Sequence, residues 1–335
     1  MMTKSIISCG VYLPYLRIKR EEYQSALGRC SAGMREKTVL DIDEDVITMA
    51  VEASRDALAG IDVSRVGVVT VASTGFPYQE KAQAGTLVEA LGLEKNVLTA
   101  QHSNSTMSGT EALLAALSLL DQTEQPYALV VVSDAPVSGP DVDLEHGFGA
   151  AACAFVLAKD EPGLVFEGVY AQSGEAMGLR YRLPGETDIR DIGVKTFATL
   201  DYNETVKGAV TGLANKLGRN MTDYRHVVLH QADAKSATAL AKKMGCTDEQ
   251  IKEGVVYPYT GDTGACSSLL GLCRVLESAC AGDCILISSH GSGSGSQALS
   301  FCLETPVLKS VAFEAVLGYK RYISYIQYLK QKRSI

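Results

Sequence analysis

Apolar and polar positions along the chain follow two periods, and they follow them in the same order twice. From Asp45 to Leu58 (DVITMAVEASRDAL) apolar residues recur at helical spacing, and Gly60 closes the run. Val66 to Ala72 (VGVVTVA) is continuously apolar and β-branched, the pattern of a strand buried on both faces. A second helix ends at Leu91-Gly92, and Gly109 to Leu120 (GTEALLAALSLL) predicts a third. Ala128 to Ser133 (ALVVVS) and Ala151 to Leu157 (AACAFVL) predict two more buried strands. The later residues repeat the series. Asn203 to Leu217 predicts a helix closed by Gly218, His226 to His230 a strand, and Ser236 to Met244 a helix closed by Gly245. Ser267 to Leu276 predicts a helix, and Cys284 to Ser288 and Ala298 to Leu303 predict strands.

Such a match is an internal duplication of an α/β unit, with stacked sheets and a helical layer between them. The expected units are an N-terminal half over 1–165, a C-terminal half over 166–305 and a Tyr/Lys-rich tail over 306–335. Val165 to Asp201 reads as a connection carrying loops, part of a ligand pocket. In the tail Tyr319, Tyr322, Tyr325 and Tyr328 recur every three residues. A docking helix and an edge strand both fit that spacing.

Composition narrows the function classes. The 335 residues are 46% hydrophobic and 21% charged, an ordinary globular balance. The net charge of −8 argues against general nucleic-acid or membrane-surface binding, so an anionic ligand needs a local basic site. No apolar run reaches the roughly 18 residues of a membrane-crossing helix. The nine cysteines show no zinc-ligand spacing, no metal site is expected, and most read as small buried hydrophobes. An odd count without a signal-peptide pattern fits a reducing cytoplasm.

Several segments together resemble one family. GVYLPYLRIK (10–19), DEDVITMAVEASRDAL (43–58) and ASTGFPY (72–78) resemble the amino-terminal half of archaeal-type hydroxymethylglutaryl-CoA synthases, in the thiolase superfamily. HQADAK (230–235), YTGDTGACSSLLGL (259–272) and GSGSGSQALS (291–300) resemble the carboxy-terminal half. The likeness covers nearly the whole chain and is weakest between about Gly174 and Tyr202. It implies a five-layered αβαβα thiolase-like fold, usually dimeric. It also implies condensation of acetyl-CoA with acetoacetyl-CoA through an acyl-cysteine, with a thiolase and a small OB-fold protein as partners. The coenzyme A thioester is substrate or ligand, and no covalent cofactor is implied.

The resemblance also assigns roles, and here the sequence departs from the pattern. Thr106, in SNSTMSGT before the Gly109 helix, stands where the family has its cysteine; the bland reading is a helix cap or pocket wall. A threonine hydroxyl needs an adjacent base to attack a thioester. Thr74 stands where the family has its general-base glutamate, and Glu80 would serve only if its loop folded back. Asp262 replaces an asparagine; ionised aspartate has acceptors only, so capping the next helix or pairing with His230 is expected. His230 matches the family histidine, Lys235 its coenzyme A-contacting lysine and Ser292 its acyl-contacting serine. The expected constellation is Thr106, His230, Asp262 and Ser292 around one small-ligand cavity. Cys153 and Cys266 lie in the wrong elements to act as the nucleophile.

Three of the four reacting groups are therefore changed, while histidine and lysine remain. The reading that follows is a synthase-like subunit of an acyl-transfer complex with a degenerate nucleophile site. An enzyme using His230 without a covalent acyl-cysteine, or an active hydroxymethylglutaryl-CoA synthase, are the alternatives. Acyl-CoA is the expected ligand. A homodimer or pseudo-equivalent heterodimer is the expected assembly, with thiolase and OB-fold proteins as candidate partners.

Overall fold

The computed structural model describes residues 3–140, 142–332 and 334; Met1, Met2, Asp141, Arg333 and Ile335, including the end of the expected tail, lie outside them. The first half runs Lys4–Tyr12 (β1), Leu16–Lys19 (β2), Arg20–Leu27 (α1), Glu36–Val39 (β3), Val46–Ala57 (α2), Val66–Ala72 (β4), Ala84–Ala90 (α3), Leu98–His102 (β5), Ser108–Leu119 (α4), Tyr127–Asp134 (β6), Asp143–Gly147 (α5) and Ala151–Lys159 (β7). The chain continues as Leu164–Ser173 (β8), Lys195–Leu217 (α6), His226–Leu229 (β9), Ser236–Lys243 (α7), Asp248–Ile251 (α8), Tyr257–Thr260 (α9), Ser267–Val275 (α10), Cys284–His290 (β10), Gly295–Leu303 (β11), Phe313–Gly318 (α11), Arg321–Tyr322 (β12) and Tyr325–Gln331 (α12).

One continuous ladder orders its strands β5-β4-β6-β7-β1-β8-β11-β10-β9. Its seam is the β1–β8 contact, two residue pairs long, Ser5 with Val165 and Ile6 with Leu164. On either side of that seam the order is the same: β4-β6-β7-β1 answers β9-β10-β11-β8. The first half adds β5 as an outer strand, paired in parallel with β4.

Side-chain alternation builds the layers. On β6, Ala128, Val130 and Val132 join the central core with α4 and α10, whereas Leu129 and Val131 join the outer core with α2 and α3. On β10, Ile285 and Ile287 face that same centre, and Leu286 faces α6 and α7. The layers therefore run helices, sheet, helices, sheet, helices, as expected of an αβαβα body. Local signals agree: the Asp45 carboxylate accepts from the N–H groups of Ile47 and Thr48, both at 2.8 Å, and Thr48 closes the capping box that starts α2.

The Val165–Asp201 stretch is not all loop. It holds β8, whose exposed far end hides its period, and the first turns of α6, which begin at Lys195 rather than Asn203. The tail is both strand and helix: β12 pairs in parallel with β2, and α12 buries Tyr325 and Tyr328 against Tyr23, while Tyr319 and Tyr322 stay exposed. Glu145 clamps it, accepting from Lys37 Nζ (3.0 Å), from Tyr23 (3.0 Å) and from the Tyr328 hydroxyl. Burial pushes Glu145 up, but Lys37, Lys332 and Tyr328 outweigh that and hold it below the usual carboxylate range. The same burial lowers Lys37 to about 8, so at neutral pH it keeps its proton and the contact is an ion pair. Among the described residues no helix is long and apolar enough to cross a membrane.

Candidate active site

Parallel strands in α/β sheets present their carboxyl ends to ligands. Here β4 and β6 run parallel, as do β9 and β10. The residues just after them, Ser73–Thr74, His230 and Gly291–Ser292, together with the residues before α4 and the turn before α10, hold the candidates Thr74, Thr106, His230, Asp262 and Ser292.

Thr106 precedes α4. Its hydroxyl donates to the His290 carbonyl (2.6 Å) and lies 3.2 Å from the Ser292 hydroxyl. It does not cap the helix; the Ser105 hydroxyl accepts the Met107 N–H instead (3.1 Å). Ser292 takes a left-handed backbone, φ +50°. His230 is fixed through its backbone, its N–H donating to Ser288 (2.8 Å) and its carbonyl accepting from the Tyr202 hydroxyl (2.7 Å). Its buried ring stacks edge-on to His290 at 6.2 Å, and among the described residues neither ring nitrogen has a hydrogen-bond partner. Burial first, and the charge of Arg180 second, push the pKa of His230 down to about 3, so the imidazole is neutral with one N–H to offer. His290 is pushed to about 3 as well, by burial and by His230, with Asp201 3.3 Å from its Nε2.

Asp262 is where expectation and structure part. Its Oδ1 accepts from the Gly264 N–H (2.8 Å), which holds the turn before α10. Its Oδ2, however, meets Arg180 Nη1 at 2.5 Å, and His230 takes no part. Arg180 lay in the segment of weakest resemblance, and only tertiary placement reveals it. Thr74 has a partner equally absent from the sequence reading: its hydroxyl donates to the buried carboxylate of Asp134 (2.8 Å). Asp134 also accepts from the N–H groups of Ala135 (3.0 Å) and Ala265 (2.8 Å). Burial raises its pKa, and these hydrogen bonds with the Arg180 charge pull it only part-way back. An acidic residue ending a buried strand was the available signal. Glu80 is exposed and is not recruited.

Two glycines make this crowding attainable. A Cβ at Gly109 would sit 2.5 Å from the Ala265 carbonyl, so only glycine lets α4 approach the turn before α10. Gly264, at φ +54°, has Asp134 Oδ2 where its Cβ would be, at 2.0 Å.

The expected open cavity around these groups is not what the structure has. Thr106, His230 and Asp262 are each at most 3% exposed. The segment 176–190 lies across them: the Ala176 N–H donates to Gly293, Arg180 holds Asp262, Arg182 donates to the Thr74 carbonyl (3.0 Å), and the Ile189 N–H donates to Val137. A cavity of about 830 Å³ is lined by residues such as Ser138, Val142, Tyr181, Asp188, Arg190 and Lys195, and by none of the four candidates. Lys235 is exposed at the start of α7. Cys266 is buried, donating to the carbonyls of Val132 and Ala151, and burial raises its pKa, as it does for Cys153. Among the described residues one group, Glu167, Cys284 and Cys302, gathers metal-ligand atoms within 4.8 Å, but Glu167 is already paired with Arg219.

Comparison with known proteins identifies the frame. The chain is 31% identical over 353 residues to the hydroxymethylglutaryl-CoA synthase of Pyrobaculum arsenaticum, covering 100% of this chain and 99% of the relative. It is 32% identical over 349 residues to that of Methanococcus maripaludis, with the same coverage. The chain belongs to the hydroxymethylglutaryl-CoA synthase family. The profile of the 3-oxoacyl-[acyl-carrier-protein (ACP)] synthase III C-terminal region matches residues 214–301, consistent with the wider thiolase superfamily. In fold the chain is similar to MvaS in complex with 3-hydroxy-3-methylglutaryl coenzyme A, with a TM-score of 0.88, 20% identity, and 99% of this chain and 92% of that one covered. It is equally similar to the curacin biosynthetic pathway HMG synthase in complex with holo donor-ACP: TM-score 0.88, 18% identity, 98% and 88% covered. The thiolase-like fold follows, with mixed sheets flanked by helices.

In a hydroxymethylglutaryl-CoA synthase fold, these side chains offer a neutral imidazole, a buried guanidinium and two buried carboxylates. They offer hydrogen-bond donors at a water-poor site, which is what polarising a carbonyl requires.

Proposed function

We propose that this chain is an acyl-CoA-binding, synthase-like subunit of an acyl-transfer assembly, and that it forms no acyl-enzyme at Thr106. One observation carries the reading: the Thr106 hydroxyl is committed to a backbone carbonyl, with Ser292 as its other neighbour and no base beside it. A nucleophile needs a group that takes its proton, and a carbonyl already accepting that proton does not activate it. Thr74, hydrogen-bonded to Asp134, is no carboxylate base, and Asp262, paired with Arg180, is no amide donor.

Lys235 and Ser292 are the proposed contacts for coenzyme A and the acyl group. The outer edge of β5, with exposed Leu98, is the proposed dimer edge, since an unpaired strand edge invites pairing. Thiolase and OB-fold proteins are the proposed further partners, in the cytoplasm. A second reading is favoured by the unpartnered, neutral His230 ring: an enzyme that polarises a bound thioester without covalent catalysis. Incubation with acetyl-CoA or acetoacetyl-CoA followed by intact-mass measurement tests the first reading, with no mass gain expected. An acyl group mapped to Thr106 would overturn it.

A further inference from the structure

A buried aspartate in place of an amide looks like a lost donor. The surroundings of Asp262 show a donor brought to the same place from another segment. Arg180 Nη1 is held by Asp262 at 2.5 Å. The guanidinium lies 5.0 Å from the Phe148 ring, which limits its plane. Nη2 of the same group is buried and has no hydrogen-bond partner among the described residues. Both ring nitrogens of His230 are buried and, among the described residues, unpartnered too. A guanidinium that served only as a clasp would satisfy its second nitrogen as well, because an unpaired buried charged donor is costly. Asp134 does not claim it, being occupied by Ser73, Thr74, Ala135 and Ala265.

We propose that Arg180, anchored by Asp262, donates through Nη2 to the acyl oxygen of a bound 3-oxoacyl thioester, with the His230 N–H as second donor. This rests on the reading that the site takes an acyl-CoA. The ligand class follows from charge. Loss of a proton from C2 of a 3-oxoacyl thioester to solvent leaves the electron pair on the carbonyl oxygens as an enolate. A cationic donor favours that anion over the neutral ketone, and a neutral amide would do so less. The buried charge of Arg180 is also felt by His230, His290 and Asp134, which places it among the ionisable groups of the site. The segment 176–190 must shift to admit the ligand and then return Arg180 to it.

The test uses acetoacetyl-CoA with the full-length chain, the Arg180→Lys variant and the double variant Arg180→Met with Asp262→Asn. The double variant leaves no unpaired buried charge, and circular dichroism checks its fold. Calorimetry measures binding of acetoacetyl-CoA and of coenzyme A, and the near-ultraviolet enolate band is followed against pH. In the unsubstituted chain the bound ligand should ionise about one pH unit or more below the free ligand, a tenfold stabilisation of the enolate. Arg180→Lys should keep part of that shift, and the double variant should lose it while remaining folded. A double variant that ionises bound ligand as the unsubstituted chain does would overturn the proposal, because a clasp has no such effect. If the unsubstituted chain binds neither compound, the acyl-CoA reading itself fails and takes the proposal with it.

Discussion

Replacing Asp262 by asparagine, the residue that the resemblance implies there, should damage the protein. Asp262 Oδ1 already accepts from the Gly264 N–H, so an asparagine would place its oxygen there and turn its NH₂ toward Arg180 Nη1, now 2.5 Å from the carboxylate. Donor would face donor, and a side chain only 11% exposed would keep its positive charge without its counterion. Breaking a buried ion pair at one end costs about 3–5 kcal/mol, because the remaining charge stays desolvated. That is a large share of a total stability of roughly 5–15 kcal/mol. Urea denaturation near neutral pH should show the midpoint of Asp262→Asn well below that of the unsubstituted chain. Adding Arg180→Met removes the stranded cation, and the double variant should recover to within about 1 kcal/mol. An Asp262→Asn chain as stable as the original, or a double variant no better than the single, would refute this account of the pair.

Three further outcomes are expected. His230 and His290 are neutral when folded down to about pH 3 but titrate near 6.5 when unfolded, so the unfolded state binds more protons between those values. Their stabilisation is complete above about pH 6.5 and should fall by about 2 kcal/mol per ring by pH 5, with the raised Asp134 opposing; His230→Gln should flatten urea midpoints against pH. Truncation after Thr305 removes Phe313, Leu317, Ile323, Tyr325 and Tyr328 from the core and a donor from Glu145, so melting temperature and solubility should collapse; a truncated chain melting like the full one would contradict the tail's docking. Thr106→Ala should cost about 1–2 kcal/mol, the value of a hydrogen bond to a buried carbonyl, and leave acetoacetyl-CoA binding measurable by calorimetry.

The elements readable in the sequence were those with a single strong period. β4 and β7 are apolar on both faces and α2 has its cap, so each declares itself within about a dozen residues. β8 was hidden because its far half is solvent-exposed and its partner β11, Gly295–Leu303, lies far along the chain. The early turns of α6 were hidden because Tyr202 is the one residue they bury among the described residues. At the site, Thr106, His230, Asp262, Ser292 and Thr74 were found because motifs hold them in register. Their partners were not, because Arg180 and Asp134 reach them from other segments. For Asp262 the sequence offered capping of the next helix or pairing with His230; its Oδ1 holds the turn before α10, and the structure supplies a cation, Arg180, from a loop.

The residues at which the sequence departs from the resemblance are each tied into a bond, and this bears on how the site is to be understood. Asp262 holds Arg180, Thr74 is bound to Asp134, and Thr106 ties the start of α4 to the end of β10. A glutamate at position 74 would bring a second carboxylate against Asp134, whose pKa burial already raises, and one of the two would have to stay protonated. A thiol at position 106 would still face the His290 carbonyl, which stabilises no thiolate. Introducing the three residues that the resemblance implies, Thr106→Cys with Thr74→Glu and Asp262→Asn, would thus set an uncompensated cation, a crowded carboxylate pair and a protonated thiol in one buried space. On the function proposed above, condensation measured with acetyl-CoA and acetoacetyl-CoA should be absent from that triple variant unless Arg180 and Asp134 are changed with it, because Asp262, Arg180 and Asp134 balance one another's charge.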